Sequence, residues 1–226
     1  MTFSGGAANL DGVGGQSYID LGGNDIASIA AVNNAVTIEA WCTLESNGYW
    51  ARLFVFGSGT ANSIFQNTAD PFGDQASRLV IANGGEQVLF NFNNPLAKNP
   101  PRQVHTVAIF DAAAGTMTLS IDGISATQAY DSVFRPLTEV GADFGYIGKS
   151  MYDDPYLKGS ITEFRLWNKA LTATDIARYD AFGPDTLPEY SLTSSATGPW
   201  TAAATWAGTA PPSGYPDTST EVTSTN

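Results

Sequence analysis

The chain is 226 residues long, enough for one large β-sandwich or for a smaller domain with an appendage, and either can bury a sizeable core. It carries 22 Asp plus Glu against 10 Lys plus Arg, a formal net charge of -12, so a nucleic-acid backbone or an anionic membrane surface would repel it. Its lone cysteine, Cys42, excludes an intrachain disulfide framework, and no apolar run reaches the length of a membrane span or a signal peptide.

Ala8 to Leu21 shows two short strand patterns around a Gly-rich turn, which predicts an opening hairpin. From Val36 to Leu44 the alternation is clean: Val36, Ile38, Ala40, Cys42 and Leu44 share one face, and Thr37, Glu39, Trp41 and Thr43 the other. Arg52 to Phe56 reads as a further buried strand. Gly57 to Ala76, rich in Asn, Asp, Gly and Ser, reads as loops with at most one short strand. Arg78 to Ala82 and Gln87 to Asn93 flank Asn83-Gly84-Gly85, a hairpin signal, and Val104 to Asp111 and Thr116 to Asp122 form a second strand pair that Asp122-Gly123 turns again.

Phe144 to Gly148 and a loop lead to Gly159–Leu171, where Phe164 and Leu166 alternate with Glu163, Arg165 and Trp167. A helix follows at once. Thr172 is placed to cap it, Asp175 completes a capping box, and Leu171 and Ile176 are spaced as a hydrophobic staple, with Gly183-Pro184 as the stop. Residues 183–226 contain no Lys or Arg, ten Thr and six Pro, so they read as an appendage in which Trp200 and Trp206 are candidate anchors for docking on a partner or for self-assembly.

Several of these stretches, in this order, resemble the laminin-G-like branch of the concanavalin A-like lectin/glucanase superfamily. They are Tyr18-Ile19-Asp20-Leu21 after a DG turn, the Val-Thr-Ile-Glu-Ala-Trp strand, the His105 to Gly123 hairpin and the closing strand with its Trp-Asn exit. The resemblance covers roughly residues 1–182. It implies an all-β fold, a two-sheet antiparallel jelly-roll sandwich with one short C-terminal helix, followed by a Thr/Pro-rich tail at 183–226. Some relatives bind calcium, so calcium is the one cofactor implied, with Asp70, Asp74, Asp153 and Asp154 as candidate ligands from oxygen-rich loops. Where relatives with a structural calcium carry an Asp in the closing strand, this chain has Thr162.

Retaining glycosidases need two carboxylates facing one cleft, commonly on alternate positions of a strand. Glu39 has Trp41 as its same-face neighbour and Glu163 has Arg165, so a glycoside hydrolase is only a remote alternative. His105, the single histidine, reads as a hydrogen-bonded strand residue, and Cys42 as a buried inert thiol. Glu39 and Arg165 both lie on the non-core face with a Trp two residues on, which predicts that they pair across strands. For sugar binding the useful groups are rings beside polar side chains, and Tyr49, Trp50, Tyr152 and Tyr156 are the candidates. The expected function is therefore a non-catalytic lectin-like binding or adhesion module. It would recognise a glycan or a neighbouring protein on a cell or particle surface and act extracellularly, at a cell surface or in a virion, with no signal peptide in this chain, no nucleic acid and no membrane insertion. The alternative is a structural or decoration component of a virion or cell-surface assembly.

Overall fold

The alternating apolar patterns become two sheets closed over one core. The structure, a computed structural model, describes residues 1–13, 17–22, 26–46, 50–59, 62–68, 77–84, 86–92, 101–186, 190–194 and 220–224. In chain order the strands are β1 (Thr2–Ser4), β2 (Ala7–Asp11), β3 (Ile19–Asp20), β4 (Ala35–Ser46), β5 (Arg52–Ser58), β6 (Asn62–Asn67), β7 (Ser77–Asn83), β8 (Glu86–Phe92) and β9 (Gln103–Asp111). They continue with β10 (Thr116–Ile121), β11 (Ile124–Ala129), β12 (Phe144–Ile147), β13 (Lys158–Trp167), β14 (Tyr190–Ser194) and β15 (Thr220–Ser224), and the helices are α1 (Ile26–Ala31) and α2 (Ala173–Phe182). The chain divides into two compact units, Met1–Pro184 and Asp185–Asn226. The second contains a parallel pair, β14 with β15, which its composition did not predict.

A seven-stranded sheet runs β1-β2-β13-β4-β9-β10-β11 and a six-stranded sheet runs β3-β12-β5-β6-β7-β8, with antiparallel pairing throughout both. Their facing sides interdigitate as expected of a sandwich. The first sheet contributes Val36, Ile38, Ala40, Cys42 and Leu44 of β4 with Phe110 and Leu119, and the second contributes Phe54, Phe56, Ile64, Leu79 and Ile81. One polar link crosses the core, from the Gln66 amide to the Thr106 hydroxyl at 3.0 Å. Cys42 is fully buried, and burial pushes its thiol up to about 12, which leaves it protonated and inert at neutral pH.

The two opening strands do not form a hairpin. β2 pairs with β13 and β3 with β12, so they belong to opposite sheets. Alternation gives each strand a core face and says nothing about which sheet it joins. The Ser17 hydroxyl, which accepts from the Asp11 amide at 2.6 Å and the Gly12 amide at 3.3 Å, ties down the crossing. The stretch read as loop after Gly57 contains strand β6 among its described residues, and Asp122-Gly123 forms a two-residue turn with positive φ at both positions (50° and 77°) that leads into β11. α1 adds a helix that the sequence did not announce, because six residues are too few to show a helical period.

α2 starts as predicted. The Thr172 side chain accepts from the Asp175 amide, the Asp175 carboxylate accepts from the Thr172 amide, and Leu171 and Ile176 are buried in one cluster. The helix lies over the outer face of the seven-stranded sheet, where this cluster also includes Trp41, Val107, Ile109 and Tyr179. Thr172→Ala should therefore cost about 1 kcal/mol in chemical unfolding. No measurable loss would mean that packing alone fixes this helix.

Candidate functional site

A concavity lies on the outer face of the six-stranded sheet. Register decides what meets there. Arg52 of β5 is paired with Asn67 of β6, and Asn67 with Arg78 of β7, while Val55, Phe65 and Val80 form the parallel row beside them. A bulge between Arg52 and Phe54 turns Leu53 into the core and leaves Arg52 on the outer side. Met151, on the loop between β12 and β13, packs on the Val55–Phe65–Val80 cluster, and Tyr152 and Asp154 of the same loop close one wall. The result is a cavity of about 270 Å³ with Phe65 and Val80 as floor, Trp50 and Tyr152 as aromatic walls, and three charged groups, Arg52, Arg78 and Asp154.

The charged groups are held in place. Arg52 donates to the Trp50 carbonyl at 2.6 Å, approaches the Asp154 carboxylate at 3.4 Å and stacks over the Phe65 ring at 4.3 Å. Burial pulls its guanidinium down to about 10, with Asp154 opposing, so it stays charged at neutral pH. The Arg78 guanidinium lies 5.4 Å from the centre of the Trp50 ring. Trp50 itself has φ of 68°, a left-handed backbone that a bulky side chain seldom adopts, and strain of this kind collects at binding sites. Asn67 is fully buried between the two arginines, and neither atom of its amide has a partner among the described residues.

Of the four rings expected to meet a ligand, the fold brings Trp50 and Tyr152 together across this cleft. Tyr156 packs against Tyr18, 6.0 Å between ring centres, and Tyr49 lies outside the described residues. The sequence did not point to Arg52, Arg78, Phe65, Val80 or Asn67. The available signal was an arginine near the start of each of two apolar strands, but only the pairing of β5, β6 and β7 shows that they converge.

The calcium ligands separate in the same way. Asp70 and Asp74 lie outside the described residues, as do Trp200 and Trp206 of the tail. Asp153 is exposed, whereas Asp154 already accepts from Ser150 at 2.7 Å and faces Arg52. Among the described residues no three His, Cys, Asp or Glu side chains gather as a metal site. The Thr162 hydroxyl accepts from Gln103 at 2.9 Å.

The expected Glu39–Arg165 pair is present, on the opposite sheet. The two residues are direct cross-strand partners of β4 and β13, with Arg165 Nη1 at 3.6 Å from Glu39 Oε2. His105 Nε2 lies 2.9 Å from Glu39 Oε1, Trp167 Nε1 donates to Glu39 Oε2 at 2.9 Å, and His105 Nδ1 is 3.2 Å from Asp180 of α2. This cluster has Glu39 and His105 buried at its centre, Glu39 with no exposed surface, while Trp167 is half-buried and Asp180 on the helix is exposed. It joins the helix to the sheet and offers nothing to a ligand.

A laminin-G profile of the concanavalin A-like lectin/glucanases superfamily matches residues 13–177, and the chain belongs to that superfamily. No curated protein matches its sequence. Among solved structures it is similar to the NanB sialidase of Streptococcus pneumoniae, with TM-score 0.57 and 19% identity, over 77% of this chain and 27% of the sialidase. The chain thus spans about a quarter of that enzyme. Domain 4 of AbnA, an extracellular GH43 arabinanase of Geobacillus stearothermophilus in complex with arabinotriose, matches with TM-score 0.57 and 20% identity over 76% of this chain and 75% of the domain. The CBM40 module of the Ruminococcus gnavus IT-sialidase, bound to α2,3 sialyllactose, matches with TM-score 0.53 and 16% identity over 71% of this chain and 95% of the module. At these identities the likeness is one of fold. Among the described residues, no helix is long and apolar enough to cross a membrane.

Proposed function

We propose that this chain is a non-catalytic glycan-binding module that acts outside the cell, and that the cleft on the six-stranded sheet is its binding site. The observation that carries the reading is the convergence of Trp50 and Tyr152 with Arg52, Arg78 and Asp154 over an apolar floor. Sugar faces stack on such rings, while hydroxyls take hydrogen bonds from charged side chains fixed beside them. The sugar complexes of structurally similar modules support the same reading. Hydrolysis is disfavoured because the described lining of the cleft has one carboxylate, Asp154, where the usual glycosidase needs two.

A glycan array probed with the full chain, once with calcium and once with chelator, tests this. Binding should be seen in at least one sugar class. Trp50→Ala should weaken it at least tenfold, about 1.4 kcal/mol, without lowering the melting temperature. Unchanged binding by this variant would remove the cleft from consideration. Calcium remains a proposal for Asp70, Asp74, Asp153 and Asp154, and equal binding and equal stability in the chelator arm would withdraw it.

A further inference from the structure

The chain has only ten Lys and Arg among 226 residues and a net charge of -12, yet it buries two of its arginines at one cleft. Arg52 is 2% exposed and Arg78 is 6% exposed. Burying a guanidinium is costly, and Arg52 is compensated on three sides, by the Trp50 carbonyl, the Asp154 carboxylate and the Phe65 ring. Its Nε nevertheless has no partner among the described residues. Asn67, between the arginines in the sheet register, is likewise buried with its amide unpartnered. Desolvated donors of this kind are expensive unless something accepts from them.

Building on the glycan reading above, we propose that the cleft selects an acidic saccharide, with the sugar's carboxylate received by Arg52 and Arg78 and its ring stacked between Trp50 and Tyr152. The donor types fit this assignment. A guanidinium presents a planar fork that matches a carboxylate, and the pair is stronger where water is excluded. A neutral sugar would bring the two guanidinium groups no planar anionic acceptor. Asp154 adds the complementary group: it is an acceptor at the wall of the cleft, able to take a hydrogen bond from a sugar hydroxyl while it holds Arg52. A cleft made only for an anion would have no use for that carboxylate, whereas a molecule with both a carboxylate and hydroxyls uses donors and acceptor together.

The experiment compares matched ligands on the unmodified full chain. Glucuronic, galacturonic and N-acetylneuraminic acid glycosides, their methyl esters and the corresponding 6-sulfated neutral glycosides would be titrated by calorimetry and by tryptophan fluorescence. At least one acid should bind at least tenfold tighter than its ester, and its affinity should fall as salt is raised. Arg78→Lys, which keeps the charge and loses the fork, should weaken that acid at least tenfold and its ester by less, so that the preference for the acid shrinks. If an acid and its ester bind equally, the acidic assignment is overturned while the glycan reading stands. If sulfated sugars bind as tightly as carboxylates, the planar-carboxylate assignment is overturned. If only neutral sugars on the array bind, the acidic assignment alone fails, and if no glycan of any kind binds, both readings fail. The ester comparison needs no variant, so a misfolded Arg78→Lys protein would not shield the proposal.

Discussion

Replacing Glu39 with alanine should destabilise the sandwich by about 3–5 kcal/mol, the loss expected when one partner is removed from a buried ionic cluster. Glu39 Oε1 and Oε2 lie 2.9 Å from His105 Nε2 and from Trp167 Nε1, and Arg165 Nη1 is at 3.6 Å. Glu39 and His105 are buried, and Trp167 is half-buried. The Arg165 side chain is 8% exposed and the His105 side chain 2%, so water cannot replace the missing carboxylate. Glu163, 3.0 Å from Arg165 Nε, and Asp180, beside His105 Nδ1, hold the same two side chains from the other side and would limit the loss without cancelling it.

Trp41 fixes the geometry of this cluster. The His105 ring stacks on it at 4.1 Å with planes 10° apart, and the Arg165 guanidinium lies over it at 4.6 Å. Glu39→Gln keeps the shape and one acceptor and should cost less than alanine. Adding Arg165→Met to Glu39→Ala should restore part of the stability, because it removes the charge left uncompensated. Urea unfolding of the two single variants and the double variant measures all three quantities. A loss below about 1 kcal/mol for Glu39→Ala would show that the cluster is decorative.

Gly159→Ala should cost about 3 kcal/mol, from backbone strain and overpacking together. Gly159, the second residue of the closing strand, has φ of 153°, a conformation that L side chains rarely adopt, next to a register shift between Lys158 and Gly159. A Cβ there would run into the Thr43 carbonyl oxygen and crowd the Leu44 backbone, neither of which can swing aside as a side chain could. Gly84→Ala is the control: its φ of 60° also favours glycine, but the space around it is open, and it should cost about 1 kcal/mol. If thermal unfolding gives the two variants the same loss, the close approach of β13 to β4 is not the reason for glycine at 159.

Each feature that the sequence determined by itself depends on neighbours along the chain. The core face of β4 follows from the alternation of Val36 to Leu44, and all five residues are buried in the core. The start of α2 was legible because Thr172, Asp175, Leu171 and Ile176 act within two turns, and the turn at Asp122-Gly123 because positive φ is a local demand. The Glu39–Arg165 pair was legible because both residues fall opposite the core and each precedes a Trp by two.

Tertiary structure alone decided the candidate site. Alternation places a residue on a face but fixes neither the neighbouring strand nor the register, so β2 and β3 could be read as a hairpin although they join different sheets. The bulge before Phe54 sets Arg52 outward, and the register of β5 on β6 and β6 on β7 aligns it with Asn67 and Arg78 from positions 15 and 26 residues later in the chain. Trp50 and Tyr152, about a hundred residues apart, meet because the loop after β12 packs back over β5, β6 and β7. Side-chain periodicity is a property of one strand, whereas a binding cleft is a property of several strands in register.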